Sequence, residues 1–175
     1  SGGTIASTGT LGAHTDTISS AIAIQGDSGS GTFTAGATSA SSRLSIGAVT
    51  GVSTTGSTTT LTLNGDNTGA NAVTGVIGNG SAGGTLAVVK SGNGVWQLSG
   101  ANTFSGGLTL NSGTLRLGNN AALGSGTFTI AGGAIDVTSA RTTTNNNAQA
   151  WNGDFTYVGT NTLNLGTGAV AMNAS

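Results

Sequence analysis

The chain of 175 residues contains no cysteine, no proline and no glutamate, and it has a single histidine. Charged residues make up 5% of it, whereas an ordinary globular domain has roughly a quarter. So few basic residues argue against nucleic-acid binding and against attachment to anionic membranes. Without thiols and with one imidazole, the chain has almost no ligands for zinc or for a carboxylate-rich metal site. We therefore expect no enzyme, no metal and no cofactor.

Long hydrophobic runs are also missing. No stretch of about 18 apolar residues occurs, so we expect no membrane insertion. The first ten residues, SGGTIASTGT, lack the basic and apolar regions of a signal peptide, and none is expected within the chain. Disorder is another class that this composition suggests, but disordered chains usually carry more charge and more proline. A net charge of −1 gives little self-repulsion, so the chain is expected to fold or to associate.

Small and polar residues dominate what is present, because glycine, serine, threonine, asparagine and alanine account for about 70% of the chain. Glycine at this density opposes helix formation. Short segments alternate apolar with polar residues, as strands do when one face is buried, and asparagine–glycine pairs between them indicate turns. The clearest predicted strands are residues 61–63, 96–98, 108–110, 115–117, 128–130, 135–137, 155–157 and 163–165.

The spacing of these segments is the most informative feature of the sequence. Trp96, Leu115, Ile135 and Phe155 begin strands at nearly even intervals of 19, 20 and 20 positions. A period near 20, divided into short strands, is typical of one coil of a parallel β-solenoid. We therefore predict an all-β fold, a parallel β-solenoid with about 20 residues per coil and roughly nine coils. A β-sandwich is the alternative, since short strands at this spacing also suit one.

The first 60 residues are less regular than the rest. They contain weaker strand signals at residues 22–24, 32–34 and 44–46, and edge strands or a bulging loop are expected there. We divide the chain into a less regular N-terminal β region, residues 1–60, and a β-solenoid, residues 61–175. The two are expected to form one continuous domain.

One segment of the chain carries a specific pattern. Residues 86–136 read LAVVKSGNGVWQLSGANTFSGGLTLNSGTLRLGNNAALGSGTFTIAGGAID. This order of glycines, strands and an Asn-Thr-aromatic turn resembles the passenger-associated transport repeat, also called the autotransporter-associated β-strand repeat. The residues that carry the resemblance are Lys90, Gly92, Gly94, Trp96, Leu98, Asn102, Thr103, Phe104, Gly106, Gly107, Gly113, Leu115, Leu117, Gly124, Gly126 and Asp136.

The resemblance implies a right-handed parallel β-helix that a Gram-negative-type bacterium secretes or displays on its surface. The flanking residues 61–69 and 145–170 also resemble segments found beside the repeat in very long exoproteins. In autotransporters the repeat lies in the passenger and is thought to help the chain fold as it leaves the cell. The family assigns the repeat no catalytic residues, so the repeat residues named above are expected to be structural.

We predict from this that the chain is a structural subunit or segment of an extracellular bacterial fibre, stalk or surface layer. The two ends of a solenoid carry unpaired strand edges, and residues 1–10 and 169–175 show no capping segment. Head-to-tail association or exchange of a strand would extend the rod into a homopolymer. The alternative is an adhesin or glycan-binding passenger, in which Trp96, Trp151 and Tyr157 would form exposed platforms.

Weaker motifs are each outweighed by an ordinary structural explanation. Residues 26–29, Gly-Asp-Ser-Gly, look like a serine-protease loop, but the lone His14 lies too close in sequence to act as its base. Gly78, Gly80 and Gly83 fit a dinucleotide fingerprint without a following helix, in a chain with 33 glycines.

Three further candidates involve polar residues on the expected surface. Asp136 and Asp154 could form a glycosidase-like pair of carboxylates. Asn64, Asp66 and Asn67 could form a single weak ion site. The threonines of residues 58–62 and 127–129 are similar to the threonine arrays of ice-binding solenoids. Turn-capping aspartate and asparagine and outward-facing threonine are the default explanations for all three.

Overall fold

The computed structural model describes residues 3–7, 15–25, 32–37, 42–52, 54–67 and 69–173. Over these ranges the chain consists of short strands, turns and loops, without a helix. The strands are β1 Gly3–Ser7, β2 Thr15–Ile18, β3 Ile22–Gln25, β4 Thr32–Ala37, β5 Arg43–Ile46, β6 Val49–Val52, β7 Thr58–Gly65, β8 Asn71–Val73, β9 Ile77–Gly78, β10 Thr85–Lys90, β11 Val95–Leu98, β12 Leu108–Leu110, β13 Thr114–Leu117, β14 Phe128–Ile130, β15 Ala134–Val137, β16 Arg141–Thr142, β17 Gln149–Trp151, β18 Thr156–Tyr157, β19 Leu163–Asn164 and β20 Val170–Met172.

The strands form four parallel sheets. The largest has the order β1-β4-β7-β10-β12-β14-β17-β20, and the second has the order β2-β5-β8-β11-β13-β15-β18. The two smaller sheets are β3-β6-β9 and β16-β19. Neighbours in each sheet come from successive passes of the chain and pair in parallel. This topology confirms the predicted parallel β-solenoid; the alternative, a β-sandwich, would consist of antiparallel sheets.

The length of a coil changes along the solenoid. At one register position of the first sheet, the residues that pair from strand to strand are Gly3, Phe33, Leu61, Val88, Leu108, Phe128, Gln149 and Val170. Their numbers rise by 30, 28 and 27 up to Val88, and by 20 or 21 at each later step. The predicted period near 20 is therefore right for the later coils and wrong for the earlier ones. The expected nine coils are too many, because the first sheet has eight strands in the described part of the chain.

Longer strands in the first sheet contribute to the greater length of the early coils: β4, β7 and β10 have 6, 8 and 6 residues, whereas β12, β14, β17 and β20 have 3 each. The early coils also contain a third strand, but so do the short coils that carry β16 and β19, so a third strand alone does not lengthen a coil. β3, β6 and β9 form their own sheet, and β9 is its last strand. The loop after β11 takes the place of a further strand: the amides of Thr103 and Phe104 both donate to the carbonyl of Ile77. The side-chain oxygen of Asn102 accepts from the Ile77 amide at 2.9 Å. The third sheet therefore ends at β9, and the coil that contains this loop, from Val88 to Leu108, is the first of the short ones.

Inward-facing side chains stack in columns, one residue from each coil. Strands such as β10 alternate half-buried and buried residues, as one-sided strands do. The buried members of two columns on the first sheet are, in coil order, Leu61, Val88, Leu108 and Phe128, and Leu63, Lys90, Leu110 and Ile130. The second sheet contributes Trp96, Leu115 and Ile135. Each fully buried aliphatic or phenylalanine side chain stabilises the fold by about 1.5–3 kcal/mol.

The strands predicted from the sequence all overlap strands of the structure, including the weaker ones at residues 22–24, 32–34 and 44–46. The division between residues 60 and 61 stays a prediction, and the change in coil length falls later, between β9 and β12. Among the described residues, no helix has the length and apolar character needed to cross a membrane.

Candidate functional site

The apolar residues of the predicted repeat pattern lie in the solenoid core. Trp96 and Leu98 on β11 and Leu115 and Leu117 on β13 face inward and are completely buried. Phe104, in the loop that takes the place of a strand after β9, is buried as well. The pattern therefore places its large apolar side chains in the core, where coils stack on one another.

Lys90 is a buried cation in the middle of an apolar column. Its Nζ donates to the carbonyl oxygens of Ser91, Gly92 and Ser112 at 2.8, 2.9 and 3.0 Å. Because Ser112 belongs to the next coil, one ammonium group joins two turns. Burial lowers the pKa of Lys90 to about 8, and the negative charge of Asp66 acts in the opposite direction. The three carbonyls account for the three hydrogens of the ammonium, so none remains for a ligand.

Two glycines shape the turns around the Lys90 head group. Gly92 and Gly113 have φ angles of 68° and 67°, in the left-handed region that glycine adopts without strain. A Cβ on Gly113 would lie 2.5 Å from Lys90 Nζ, and a Cβ on Gly92 would lie 2.6 Å from the carbonyl oxygen of Gly65. The lysine and the glycines therefore form one turn structure, which explains their joint presence in the sequence pattern.

Asn102 and Trp96 make hydrogen bonds between coils. The Asn102 amide nitrogen donates to the carbonyl of Ala122 at 2.7 Å, while its oxygen accepts from Ile77, so this side chain connects three successive coils. The Trp96 Nε1 donates to the carbonyl of Asn64 at 2.8 Å. Both polar groups are satisfied although their residues are buried.

The other repeat residues lie at turns and on the outward face. Asp136 accepts from Arg116 Nε at 2.6 Å in the outward row of the second sheet, and its other oxygen accepts from the Val137 amide at 2.7 Å. Thr103 lies beside Gly78 of the preceding coil. The remaining glycines pack against the backbone of neighbouring coils: Gly94, Gly106, Gly107, Gly124 and Gly126.

The weaker motifs find structural explanations where the structure describes them. His14 and residues 26–29 lie outside the described residues. Gly78 ends β9, and Gly80 and Gly83 lie in the connection to β10, so a strand rather than a helix follows this dinucleotide-like motif. Asp154 is exposed on the loop before β18, while Asp136 is engaged by Arg116.

The three residues of the candidate ion site each make hydrogen bonds to different protein groups and do not converge on one point. The side-chain oxygen of Asn64 accepts from Gly65 N, and that of Asp66 accepts from Asn93 N. Asn67 is buried and exchanges two amide hydrogen bonds with Asn71. Among the described residues, no three His, Cys, Asp or Glu side chains cluster in a way that could hold a metal ion.

The threonine array is only partly outward-facing. Thr58, Thr60 and Thr62 lie on the outward side of β7, whereas Thr59 is buried. The Thr58 and Thr85 hydroxyls are hydrogen-bonded at 2.8 Å between neighbouring coils. These contacts fit the ordinary role of threonine on a sheet surface.

An open cleft of about 680 Å³ lies at the C-terminal end of the solenoid. Its lining includes Gln149, Trp151, Phe155, Tyr157, Leu163 and Val170. The rings of Trp151 and Phe155 meet edge to face, 5.2 Å between centroids. Sequence reasoning named Trp151 and Tyr157 as candidate platforms but did not predict this cleft, because the other lining residues, such as Phe155 and Leu163, have the pattern of ordinary core positions.

The three aromatic residues expected as platforms fall into two groups. Trp96 is completely buried, so its expected role as an exposed glycan platform is wrong, because its ring fills the core beneath β11. Trp151 is half-buried and Tyr157 is 39% exposed, and both line the cleft. The Tyr157 hydroxyl donates to the carbonyl of Asn161.

Comparison with known proteins points to one family. The passenger-associated-transport-repeat family matches residues 88–117, from β10 to the end of β13. Over 66 residues the chain is 42% identical to the adhesin BmaC autotransporter of Brucella suis biovar 1 (strain 1330). That match covers 38% of this chain and 2% of the relative, so the chain spans a very small part of it. No solved structure matches.

The matched segment lies in coils whose core side chains are completely buried. It includes Lys90, Gly92, Trp96, Asn102 and Gly113, whose side chains and turns connect neighbouring coils. Gly124, Gly126 and Asp136 of the sequence pattern lie beyond it. Residues 88–117 of this β-solenoid therefore match the passenger-associated transport repeat in both sequence and position within the coils.

Proposed function

We propose that the chain is a structural, non-catalytic segment of a surface-exposed or secreted bacterial passenger, in which the β-solenoid forms part of a stalk. The observation that carries this proposal is the unbroken first sheet, whose eight strands run in register through the passenger-associated transport repeat. Each step adds about 4.8 Å along the axis, so the steps between these strands extend it by roughly 34 Å in total.

The composition supports a role that depends on shape. Charged residues are 5% of the chain, and the repeat core uses its buried polar side chains to bond neighbouring coils. A rod of this kind separates what lies at its two ends without any chemistry of its own. Neither nucleic-acid binding nor membrane insertion is part of the proposal.

The location is tested on the cells that produce the protein. Antibodies against the chain should label intact cells or the culture medium, and added protease should remove the label from unbroken cells. An antibody against a cytoplasmic protein serves as the control for cell integrity. Labelling that requires permeabilised cells would overturn the proposal.

A fibre or surface layer built from separate copies is a second candidate. It is favoured by β20, the outermost strand of the first sheet, on which Val170 and Met172 are exposed. Copies would join head to tail through the solenoid ends, or by exchange of a strand, in a contact that does not close. Light scattering and electron microscopy test it: filaments that lengthen with concentration support it, and single chains at all concentrations contradict it.

Glycan binding is a third candidate, favoured by the exposed aromatic faces of the cleft and by the word adhesin in the name of the similar Brucella protein. Trp151 and Tyr157 would stack on sugar rings. Because Trp96 is buried, quenching of tryptophan fluorescence by a ligand would report Trp151. Fluorescence unchanged across a panel of host and bacterial oligosaccharides would contradict it.

A further inference from the structure

The C-terminal end of the solenoid presents three strand edges together. β20, β18 and β19 are the last strands of their sheets, and within the described part of the chain none of them pairs with a later strand. Each edge has backbone donors and acceptors that point along the solenoid axis. A further coil could pair with all three edges, as each coil pairs with the one before it.

The exposed apolar residues at this end occupy core columns. Val170 continues the column of Leu108 and Phe128, and Met172 continues the column of Leu110 and Ile130. In the earlier coils these positions are completely buried, whereas Val170 is 47% and Met172 is 75% exposed. Their exposure therefore comes from the missing neighbour and not from an outward orientation. Val158, 53% exposed, follows the β18 edge at the same end.

The edges lack the features that keep sheet edges apart. Proteins usually protect such edges with charged residues, proline or bulges. β20 consists of Val170, Ala171 and Met172, and neither β18 nor β19 contains a charged residue. The nearest acidic residue along the chain, Asp154, lies on the loop before β18.

We infer that the C-terminal cleft is a docking site for one further β-solenoid coil of about 20 residues, whose inward-facing side chains are uncharged and mostly aliphatic. Its strands add in parallel to β18, β19 and β20, and its inward residues cover Tyr157, Val170 and Met172. The partner is identified by continuity, because the same coil-to-coil interface already occurs at every step of the first sheet.

Coil length decides which partner fits. The coils that lead from Val88 to Val170 are all of the short kind, and the cleft presents the perimeter of such a coil. The N-terminal end of a second copy presents longer coils, in which Thr15 pairs with Arg43 and Ile22 pairs with Val49. The surplus residues of such a coil would lie outside the edges of β18 and β19. The inference deepens the proposed stalk and rests on it, since a stalk extends by adding coils.

The experiment adds a coil to the chain. Position 173 corresponds to position 131 two coils earlier, so a copy of residues 132–151 replaces Ala174 and Ser175 and continues the register. In the copy Trp151 is changed to isoleucine, the residue at the equivalent position of β14. The controls carry the same added segment in scrambled order, or a copy of residues 65–90, which has the longer step.

The chain has a single methionine, so oxidation of Met172 by peroxide reports cover at this end by one mass shift. We expect at least tenfold slower oxidation with the matched coil than with either control, together with lower quenching of Trp151 by acrylamide. Equal oxidation in all three variants would overturn the inference while leaving the surface location untouched.

The unmodified chain provides two further outcomes. If oxidation of Met172 becomes slower as protein concentration rises and filaments grow, a second copy is the partner. That result would overturn the coil-length argument. Protection by an added oligosaccharide would make the cleft a glycan site and would overturn the inference as well. We expect Met172 of the unmodified chain to be oxidised at the same rapid rate at every protein concentration and with or without oligosaccharide.

Discussion

The coils at the repeat and the coils at the C-terminus have nearly the same length, but they are packed differently. At the repeat, side chains such as Lys90 and Asn102 bond to the backbone of neighbouring coils, and the core columns are closed. At the C-terminus the column of Lys90, Leu110 and Ile130 ends in Trp151, which is half-buried, and Met172, which is exposed. Spacing is enough to form a coil, whereas neighbours on both sides are needed to bury its core.

This difference means that stability should be graded along the chain. In repeat architectures each unit contributes its own stability and its interfaces with its two neighbours. A substitution at the repeat disturbs two such interfaces, and one at the C-terminal coil disturbs one. Matched pairs of variants, one from each region, therefore measure how much more the repeat coils contribute to the free energy of unfolding than the C-terminal coil does.

The largest effect is expected for Trp96→Ala. Removing a fully buried indole should lower the free energy of unfolding by about 3–5 kcal/mol, and it leaves the carbonyl of Asn64 without its donor. The matched variant Tyr157→Ala, at a residue 39% exposed, should lose less than about 1 kcal/mol. Urea denaturation measures both. Equal losses would contradict the contrast between the two regions.

Lys90 should make stability depend on pH. Its pKa is lowered to about 8 in the folded chain from an ordinary 10.5, so between these values the unfolded chain binds more protons. Stability should therefore rise with pH across this window, by up to about 3 kcal/mol in total, and below pH 8 Lys90 should add no pH dependence.

The control for this prediction is Lys90→Met, which keeps an unbranched side chain in the column without an ionisable group. The difference in unfolding free energy between parent and variant, followed by urea denaturation from pH 7 to 11, isolates the contribution of Lys90 from that of every other group. A difference that stays constant across this range would contradict the prediction.

The fold was largely predictable from the sequence because one coil repeats its own pattern. Trp96, Leu115 and Ile135 pair in register, as their nearly even spacing in the sequence indicated. The longer N-terminal coils were missed, because neither their longer first-sheet strands nor the strands of the third sheet carry a distinctive sequence pattern. The loop at Asn102 that ends this third sheet is recognisable only once its bonds to Ile77 and Ala122 are seen.

The sites were harder to predict, since burial depends on neighbours several coils away. Trp96 and Trp151 both read as possible platforms, yet one lies under closed columns and the other beside an open end. The role of Lys90 was also hidden, because a lysine in a strand is normally solvent-exposed. Only the stacking of three carbonyl oxygens around its Nζ reveals why it faces inward.

A smaller effect is expected for Asn102→Ala. The variant leaves the Ile77 amide and the Ala122 carbonyl without their side-chain partner in a buried place, which should cost about 1–3 kcal/mol. Its match is Asn173→Ala, which removes an exposed bond to Asn152 near the C-terminus and should cost less than about 0.5 kcal/mol. Hydrogen exchange at Ile77 should accelerate in the first variant only. Unchanged exchange there would argue against the bridging role of Asn102.

The smallest effect is expected for Arg116→Ala, on the outward face of the repeat coils. Its ion pair with Asp136 is short, but the arginine side chain is 34% exposed, so the pair should contribute about 0.2–1 kcal/mol. Salt should weaken the pair, and the difference between parent and variant in urea denaturation should shrink at about 1 M sodium chloride. A loss above about 2 kcal/mol, or one independent of salt, would mean that the outward row stabilises the repeat as much as its core does. Because β18, β19 and β20 contain no charged residue, that result would move the origin of the contrast between the two regions from buried side chains to surface charge.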